Sequence, residues 1–380
     1  MRVLHVIPYM SPVFGGPPEV VKAMVEASLY NGHKVVVFST KIGFDGNVGG
    51  EVSSSRFDVK TYRLFKISLF GWWFYSRNLS KELKKLSSSI DLVHLHIPFT
   101  GPFYCAAKWA GKNKIPYVIS THGMLDIWSM KQKKVKKWLY YNLLEKKTIK
   151  KALKIHVSSL LEKDDVERLG LKIPVKIIPL PVFNVRGASD LGLLKNKDIV
   201  DNEVPHILFI GRLHPVKGLP YLLSALVIMR QKGFKFKLDL AGSGTTAYEK
   251  QIKELVNRDD LDSWVIFHQH VDGIQKQLLY KKASVFVLPS LHENFGLAAA
   301  EAMLAGIPVV VTDQVGLAAD VSRFEAGIVV PACDSDALAN AIVNVINDRS
   351  VKMANSAIEL AKNEYSFTKF SKRLNDFYLM

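Results

Sequence analysis

Short apolar runs alternate with longer helical stretches along the whole 380-residue chain, and this alternation constrains the fold more than any other feature. The runs that read as strands are Val3–Ile7, Lys34–Ser39, Leu92–His96, Tyr117–Thr121 and Lys154–Ser158 in the first half, and His206–Gly211, Lys237–Ala241, Val265–His268, Val285–Pro289 and Pro308–Thr312 in the second. Helical stretches lie between them, as at residues 19–30, 75–86 and 131–150. Strands that alternate with helices predict an α/β protein built on parallel, doubly wound sheets.

The length of the chain and the number of strands predict two such sheets, one in each half. Polar residues and glycines replace the periodic pattern at about residues 184–203, which indicates a linker. We therefore expect one Rossmann-like domain over residues 1–190 and a second over residues 191–363, facing each other across an interdomain cleft. An apolar stripe at helical spacing within residues 364–380 either caps the second domain or packs back on the first.

Composition excludes several classes of protein. A hydrophobic content of 48% describes a globular chain with ample core, and no run approaches the ~18 apolar residues of a transmembrane helix. The start, Met1–Pro8, is interrupted too early for a signal sequence and reads as a first strand. The two cysteines, Cys105 and Cys333, offer neither a disulfide framework nor the spacing of metal ligands, so we expect a cytoplasmic location.

The most informative motif is the segment Glu293–Leu297, which reads E-N-F-G-L and is followed by Glu301. It comes directly after a strand and opens a helix. The first N–H groups of such a helix and its positive dipole end suit a phosphate. Carboxylates accept hydrogen bonds from sugar hydroxyls, although glutamates near a helix start are also common for dipole reasons alone. In this context the motif indicates a ligand that is part sugar and part diphosphate, as a nucleotide sugar is.

Two cations follow an earlier strand of the same half. Arg212 comes directly after Gly211, and Lys217 precedes Gly218 at the start of the next helix. A planar guanidinium and a mobile ammonium are the two ways in which proteins hold phosphates, and neighbouring glycines let the backbone come close. A charged surface loop is the alternative interpretation.

The combination G-R-x4-K-G and, about 75 residues later, E-N-F-G-L-x3-E-A resembles the retaining glycosyltransferases of family four, which have the GT-B fold. This family includes the glycogen-synthase-like enzymes and bacterial polysaccharide and lipid glycosyltransferases. The first half fits as well, through Gly15-Gly16 after the first strand and Thr121-His122-Gly123 after a later one. The resemblance covers essentially the whole chain.

The resemblance implies a role for individual residues. Arg212 and Lys217 would hold the donor diphosphate and stabilise the leaving nucleotide, Glu301 would accept from the ribose, and Glu293 would contact the donor sugar. Together with His122, which would lie near that sugar, Arg212, Lys217 and Glu293 are the expected catalytic residues. The remaining donor-binding positions are Gly16, Gly211, Asn294, Phe295, Gly296 and Leu297. His96 and Asp126 are weaker candidates for the acceptor side.

We expect no cofactor and no metal. Sugar transfer passes through an oxocarbenium-like state while negative charge builds on the departing diphosphate. Two cations and a helix N-terminus prepare a site for that charge without a divalent ion. No Asp-x-Asp pair stands in a cleft-loop position, and the adjacent pairs Asp164-Asp165 and Asp259-Asp260 lie in polar helical stretches.

The predicted function is therefore a retaining, metal-independent transfer of a hexose from a nucleotide-sugar donor to a lipid-linked saccharide in bacterial surface polysaccharide biosynthesis. UDP-glucose is the first choice of donor type and GDP-mannose the next. Where many relatives carry a glycine beside the nucleotide base, this chain reads His268-Gln269-His270, so the sequence does not identify the base. A GT-B-fold nucleotide-sugar epimerase and a sugar-nucleotide-binding protein without turnover are the alternatives.

The net charge of +16 falls entirely within the first half. Residues 1–190 hold 30 basic and 14 acidic residues, whereas residues 191–380 hold 21 of each. The segment Lys131–Lys154 alone contains ten lysines and one acid, and helical spacing predicts a basic face opposite an apolar one. The expected basic face is Lys133, Lys136, Lys137, Lys147, Lys151 and Lys154, and the expected packing face is Val135, Trp138, Leu139, Asn142, Ile149 and Leu153. Such a face is either simply solvated or attracted to the anionic inner surface of the cytoplasmic membrane. Nucleic-acid binding is not expected.

Overall fold

The computed structural model describes residues 1–11, 14–43, 51–54, 57–67, 73–86, 89–131, 134–183, 204–348 and 351–379. The strands are β1 (Arg2–Tyr9), β2 (Lys34–Thr40), β3 (Glu51–Ser54), β4 (Phe57–Phe65), β5 (Leu92–His96), β6 (Tyr117–Ser120), β7 (Ile155–Val157), β8 (Val175–Ile177), β9 (His206–Ile210), β10 (Lys237–Ala241), β11 (Val265–His268), β12 (Val285–Leu288), β13 (Val309–Thr312) and β14 (Gly327–Val330). The helices are α1 (Gly16–Tyr30), α2 (Arg77–Lys85), α3 (Gly101–Lys112), α4 (Ile127–Lys131), α5 (Lys134–Tyr140), α6 (Lys146–Ile149), α7 (Leu160–Glu167), α8 (Leu219–Gln231), α9 (Thr246–Arg258), α10 (Gly273–Lys282), α11 (Leu297–Leu304), α12 (Ala318–Arg323), α13 (Ser335–Asn347), α14 (Val351–Glu364) and α15 (Phe367–Leu379).

Two compact units divide the chain. The first consists of Met1–Leu180 together with Phe367–Met380, and the second of Pro181–Ser366. The linker expected at 184–203 lies outside the described residues. The first unit is thus built from two separated pieces of sequence, because its last helix comes after the whole of the second unit.

The first unit is organised around an eight-stranded sheet with the order β3-β4-β2-β1-β5-β6-β7-β8. All neighbouring strands are parallel except β3, which runs antiparallel to β4. Central strands such as β1 and β5 are buried along almost their whole length, as expected for parallel strands that are covered on both faces. The strands β3, β4 and β8 were not predicted. Short strands at a sheet edge, such as β3 and β8, carry little of the apolar pattern, and the nine-residue β4 has polar residues among its apolar ones.

The second unit contains a six-stranded, fully parallel sheet with the order β11-β10-β9-β12-β13-β14. The chain builds outward from β9 through β10 to β11, then returns to the other side of β9 with β12. Ligands of open α/β sheets bind where the strand order reverses in this way, at the carboxyl ends of the strands. This topological switch point lies between β9 and β12, and the loops that follow these two strands begin there. Two parallel-sheet units confirm the predicted α/β architecture.

The helical stretch predicted near Lys131–Lys150 is present, and from Lys134 to Ile149 it is continuous but not uniformly α-helical. The described residues form α4, α5, a π-helical turn at Tyr141–Glu145 and α6. Tyr141, Glu145 and Ile149 are buried, and the main-chain N–H of Phe99 donates to Glu145 Oε1 at 2.7 Å. Burial raises the pKa of Glu145 to about 7. The single acid of the basic segment therefore lies inside the protein, in the π-helical turn between α5 and α6.

The assignment of faces in this segment is wrong in part, although Ile149 is buried and Lys147 and Lys151 are exposed as predicted. Trp138 is 61% exposed, and Leu139 and Leu153 are exposed as well, although the pattern placed all three on the packing face. Lys137 folds back to donate to Ser129, and Lys154 donates to the carbonyl of Phe377. The π-helical turn lies between Trp138 and Leu139 on one side and the buried Ile149 on the other, so residues on its two sides do not follow the single 100° spacing on which the prediction rests. Among the described residues, no helix combines the length and apolar character needed to cross a membrane.

The C-terminal helix α15 packs on α1 of the first unit. Asn31, which ends α1, donates to the carbonyl and to the hydroxyl of Ser371 at 3.0 and 2.7 Å. His33 is hydrogen-bonded to Asn375 at 2.9 Å. Of the two positions that the sequence left open for this helix, the structure shows the one on the first unit.

A row of buried histidines crosses the middle of the first sheet. His5 lies on β1, His94 and His96 on β5, and His156 on β7, and each is almost completely buried. Burial lowers the pKa of His5 to about 3. Burial first, and then neighbouring histidines, lower the pKa of His94 and His96 well below the ordinary value. This part of the core therefore holds neutral imidazoles at pH 7.

We expect the free energy of unfolding of the first unit to decrease as the pH falls from 7 to 5. In the unfolded chain a histidine takes up a proton near pH ~6.5, whereas His5 in the folded protein stays neutral to a pH of about 3. The unfolded state therefore binds more protons, so stability is complete above the unfolded pKa and is lost below it. At pH 5, His5 alone should lower the free energy of unfolding by about 2 kcal/mol.

Urea unfolding at several pH values measures this effect. Trp264 is the single tryptophan of residues 181–366, so a Trp264→Phe background restricts tryptophan fluorescence to the first unit. The control His5→Asn removes one titrating group and should show a shallower dependence on pH. Equal unfolding free energies at pH 7 and pH 5 would contradict the expectation.

Candidate active site

In the second unit, the loops after β9 and β12 are joined at the switch point. The N–H of Leu291 donates to the carbonyl of Val216 at 2.8 Å, which fixes the turn at Pro215–Lys217 against the loop after β12. Gly218 closes that turn with a φ of 66°, and a Cβ built there would lie 1.9 Å from the carbonyl oxygen of Pro289. Glycine is needed at this position for both reasons. The close approach brings Lys217 to the strand end that carries the motif.

Lys217 and Glu293 form an ion pair, and both side chains are largely buried. The backbone of Glu293 is held on both sides, since its N–H donates to Gln314 and its carbonyl accepts from Gly316 at 2.9 and 2.8 Å. The sequence assigned one residue to the diphosphate and the other to the sugar, and the structure brings them together. Their charges therefore balance in this arrangement.

Arg212 lies on the same loop as Lys217, and its side chain is exposed. Burial, and next the charges of Arg212 and Lys217, lower the pKa of His214. The main-chain N–H of Val216 donates to His214 Nδ1 at 3.2 Å, so His214 caps the turn. These contacts describe a positively charged loop that suits an anionic group. His214 is a residue of this loop that the sequence did not single out.

The motif segment shapes the start of α11. Gly296 is the N-cap with a φ of 102°, and a Cβ there would lie 2.9 Å from a side-chain carbon of Val315. Asn294 is hydrogen-bonded to His292 at 3.1 Å, whereas the ring of Phe295 is buried against Tyr365. Phe295 thus anchors the segment by its side chain, and the backbone N–H groups at the start of α11, including that of Leu297, remain the part suited to a phosphate.

Glu301 is paired with groups on α10. Its Oε2 accepts from Lys276 Nζ at 2.5 Å and from the hydroxyl of Tyr280 at 3.1 Å. Burial first, and then Glu301, raise the pKa of Tyr280 well above the ordinary value, so its phenol remains a hydrogen-bond donor. Lys276 and Tyr280 were missed because they sit in a polar helix without any motif around them. Glu301 nevertheless has acceptor capacity left, since a carboxylate offers about four lone-pair positions.

A buried carboxylate in the middle of β10 lies between two imidazoles, one at the start of β9 and one at the end of β11. Asp239 accepts hydrogen bonds from His206 Nδ1 at 2.6 Å and from His268 Nε2 at 2.8 Å. His268 is the residue at which the sequence departs from many relatives. The structure gives it a structural partner, because its ring is fixed by a carboxylate that is 2% exposed.

In the first unit, Gly16 begins α1 directly after the loop that follows β1. Gly15 is the N-cap with a φ of 82°, and a Cβ built on Gly16 would meet no atom within 4 Å. The 15-residue helix presents its first N–H groups and its positive dipole end at this point. Open space beside a helix N-terminus permits close approach of an anionic ligand.

His122 stands in a turn directly after β6, with a left-handed φ of 48°. The buried carboxylate of Glu162 holds this turn, because Thr121 Oγ1 and the N–H of Gly123 both donate to its Oε1, at 2.5 and 2.8 Å. The N–H and hydroxyl of Ser158 donate to its other oxygen at 2.8 and 2.9 Å. Four donors on one carboxylate explain how a non-glycine residue keeps a strained conformation.

His96 is wrong as a residue that itself contacts an acceptor. Its side chain has no exposed surface, and its Nδ1 is hydrogen-bonded to His122 Nε2 at 3.0 Å. Asp126 needs the same correction, because it is 3% exposed and caps α4 by accepting from the N–H of Ser129. The strand-end positions of both residues were predicted, but their burial could not be read from the sequence.

Glu162 was also missed by the sequence reasoning. Ser159 and Glu162 follow the S-x-x-E pattern of a helix start, and the N–H of Glu162 does donate to Ser159 Oγ at 3.2 Å. That pattern explains a helix cap and gives no sign that the carboxylate turns inward to hold a different loop.

Comparison with known proteins is consistent with this geometry in both units. Residues 14–182 match the family described as Glycosyltransferase Family 4, and residues 204–348 match the family described as Glycosyl transferases group 1. An uncharacterized glycosyltransferase of Methanocaldococcus jannaschii is 28% identical over 97% of this chain and 95% of its own length. A phosphatidyl-myo-inositol mannosyltransferase of Mycolicibacterium smegmatis is 26% identical over 93% of this chain and 86% of its own length.

Solved structures of similar fold cover the whole chain. A sucrose-phosphate synthase from Thermosynechococcus elongatus has a TM-score of 0.76 at 21% identity, covering 100% of this chain and 98% of its own. The Anabaena protein HepE, in complex with UDP-glucose, has a TM-score of 0.73 at 18% identity, covering 100% of this chain and 99% of its own. The family matches span most of both units, and these structures share the GT-B fold. Through these two matches the chain is a glycosyltransferase, with a family 4 domain at residues 14–182 and a group 1 domain at residues 204–348.

Proposed function

We propose that the protein transfers a hexose from a nucleotide-sugar donor to a lipid-linked saccharide, with retention of the anomeric configuration and without a metal ion. A UDP-glucose-type donor is our first choice and GDP-mannose the next. HepE was solved with UDP-glucose, and the mycobacterial relative is named a mannosyltransferase, which supports glucose and mannose as the first sugars to test. An O-antigen chain mannosyltransferase of Escherichia coli, 31% identical over 41% of this chain, supports a place in surface polysaccharide assembly.

The observation that carries this proposal is the pairing of Lys217 with Glu293 at the switch point of the second sheet. The ammonium suits the diphosphate, the carboxylate suits a sugar hydroxyl, and Arg212 lies on the same loop. When the bond to the diphosphate breaks, negative charge grows on the leaving group, and these cations and the N-terminus of α11 stabilise it. Glu301 accepts from the ribose in this proposal.

Residues of the first unit act on the sugar and the acceptor. His122 is held in its turn by Glu162 and offers a neutral imidazole, since burial lowers its pKa to about 3. A neutral imidazole can accept a hydrogen bond from a sugar hydroxyl without adding positive charge beside an oxocarbenium-like centre. Gly16 and the start of α1 offer N–H groups to the donor phosphates.

We expect Lys217→Ala to lower turnover by about 100-fold or more, the scale of losing one charge-stabilising group. The substitution removes the diphosphate contact and leaves the carboxylate of Glu293 without this partner. Steady-state kinetics with the donor identified below measure the change. The control is Lys250→Ala, whose ammonium lies 3.7 Å from Glu254 on an exposed helix face and should leave the rate unchanged. A wild-type rate for Lys217→Ala would refute the diphosphate assignment.

The donor and the outcome of the reaction are tested with a panel of UDP-, GDP- and ADP-sugars. We expect one nucleotide class to raise the melting temperature, and we expect NMR of the product to show the anomeric configuration of the donor. Conversion of the donor sugar to an epimer in the absence of acceptor would contradict transferase activity. An inverted product would contradict retention.

We further propose that the segment at 138–151 rests on an anionic membrane surface. Trp138 and Leu143 are 61% and 62% exposed, and Leu139 and Leu144 beside them are exposed as well. The exposed lysines that follow are Lys147, Lys150 and Lys151. Apolar groups with a tryptophan suit the headgroup region, and lysines add about 1 kcal/mol each near anionic lipid.

The double variant Trp138→Ser with Leu143→Ser should weaken binding to anionic vesicles by about tenfold or more, because it removes the apolar surface that enters the interface. Co-sedimentation with liposomes of anionic and of neutral lipid measures this difference. Added salt should weaken binding of the wild type by screening the lysines.

Leu278→Ser is the matched control for this experiment. Leu278 is 60% exposed on α10 of the second unit and has Lys281 and Lys282 nearby in sequence. Its substitution should leave vesicle binding unchanged. Equal and negligible binding of the wild type to both kinds of vesicle would refute the membrane proposal.

A further inference from the structure

A chain of hydrogen bonds runs through the first unit from a backbone carbonyl to His122. It starts with His156 Nε2 at 3.0 Å from the oxygen of Ile178, and continues from His156 Nδ1 to Ser120 Oγ at 2.7 Å and from Ser120 Oγ to His94 Nε2 at 2.7 Å. The Tyr378 hydroxyl then joins His94 Nδ1 at 2.8 Å to His5 Nε2 at 3.5 Å. The last two contacts are His5 Nδ1 with His96 Nε2 and His96 Nδ1 with His122 Nε2, each at 3.0 Å. Its members come from β1, β5, β6, β7 and α15. All of them except His122 are buried.

The carbonyl at one end decides the direction of the first bonds. The oxygen of Ile178 can only accept, so His156 carries its hydrogen on Nε2. Burial lowers the pKa of His156, and the neutral ring then has a lone pair on Nδ1. The single hydroxyl hydrogen of Ser120 is donated to that lone pair, so the Ser120 oxygen accepts a hydrogen bond from His94 Nε2. His94 is thereby fixed with its lone pair on Nδ1.

The direction of the remaining hydrogen bonds, from Tyr378 to His122, follows in the same way. Tyr378 donates its hydrogen to His94 Nδ1, and its oxygen accepts from His5 Nε2 across the longest contact of the chain. His5 then accepts at Nδ1 from His96 Nε2, and His96 accepts at Nδ1 from His122 Nε2. Every imidazole has the same tautomer, with hydrogen on Nε2. His122 is left with a lone pair on Nδ1.

We propose that this chain fixes His122 in the tautomer whose Nδ1 accepts a hydrogen bond from the substrate. The imidazoles behind it and Tyr378 of the C-terminal helix are positioning residues that act through His122. Without the chain, a neutral imidazole exchanges between two tautomers, and one of the two presents a donor where an acceptor is required. The role given to His122 in catalysis rests on the proposed function, whereas the direction of the chain does not.

A metal ion is the competing explanation for the same cluster. Ligand nitrogens of His5, His94 and His96 lie within 4.8 Å of one another. However, all six ring nitrogens of these residues take part in the hydrogen bonds described above. A metal would have to break several of them inside a buried core, and the neutral ligands would not balance its charge. The geometry therefore favours the hydrogen-bonded chain.

Long-range ¹H–¹⁵N correlation spectra of histidine-labelled protein at neutral pH test the direction. We expect the five rings of the chain, His122 among them, to show a protonated Nε2 and an unprotonated Nδ1. Tyr378→Phe removes the donor to His94 and should shift His94 and His122 toward a mixture of tautomers. Hydrogen on Nδ1 of His122 in the wild type, or an unchanged His122 in the variant, would overturn the proposal.

Two substitutions of His96 separate positioning from simple packing. The variant His96→Asn places an amide carbonyl near the position of the histidine Nδ1, so it retains an acceptor for His122. The variant His96→Gln places its polar group near the position of Nε2 and loses that acceptor. We expect turnover at least about tenfold higher for His96→Asn than for His96→Gln, with similar donor KM, on the scale of one oriented hydrogen bond. Equal rates, or a faster His96→Gln, would overturn the positioning role.

Failure of the proposed function can be told from failure of this inference. A wild-type protein that shows the five expected tautomers but no glycosyl transfer refutes the function and keeps the direction of the chain. Addition of Zn²⁺ or Co²⁺ to the protein tests the competing explanation of a metal site. Stoichiometric metal binding that is lost in His5→Asn would overturn the hydrogen-bonded chain.

Discussion

Parallel strand pairing decides where chemistry can occur in this protein. In each unit the carboxyl ends of the strands lie at one edge of the sheet, so residues far apart in sequence are gathered there. The second unit shows this most clearly, because β9 and β12 are adjacent and the loops that follow them bring Lys217 to Glu293. In the first unit, β5 and β6 are neighbours, which brings His96 to His122.

Buried polar groups in both units are satisfied by partners from other elements. Glu162 accepts four hydrogen bonds around the turn that carries His122, and Asp239 lies between two imidazoles. An unpaired carboxylate in such a place would lose most of its hydration and destabilise the fold. The bonds to Glu162 also hold the turn that carries His122 in one arrangement.

The sequence predicted what depends on local pattern. The alternation of apolar runs with helical stretches was sufficient to predict the two parallel sheets. The positions of Arg212 and Lys217 after a predicted strand were sufficient to predict the positive loop. Contacts that depend on tertiary packing were not accessible, as the pairing of Glu301 with Lys276 shows. The exposed Trp138 is the clearest failure, because a π-helical turn changes the angular spacing of residues without any change in their apolar pattern.

The return of α15 to the first unit has a consequence for synthesis on the ribosome. Asn31 and Ser371 are 340 residues apart, and Tyr378 is made later still, so the whole second unit is translated before the first can close its core. Until that moment the imidazoles of β1 and β5 lack their phenol partner and must keep water close to them. A chain that stops before Tyr378 therefore lacks the phenol partner of His94, and water has to satisfy that imidazole nitrogen instead.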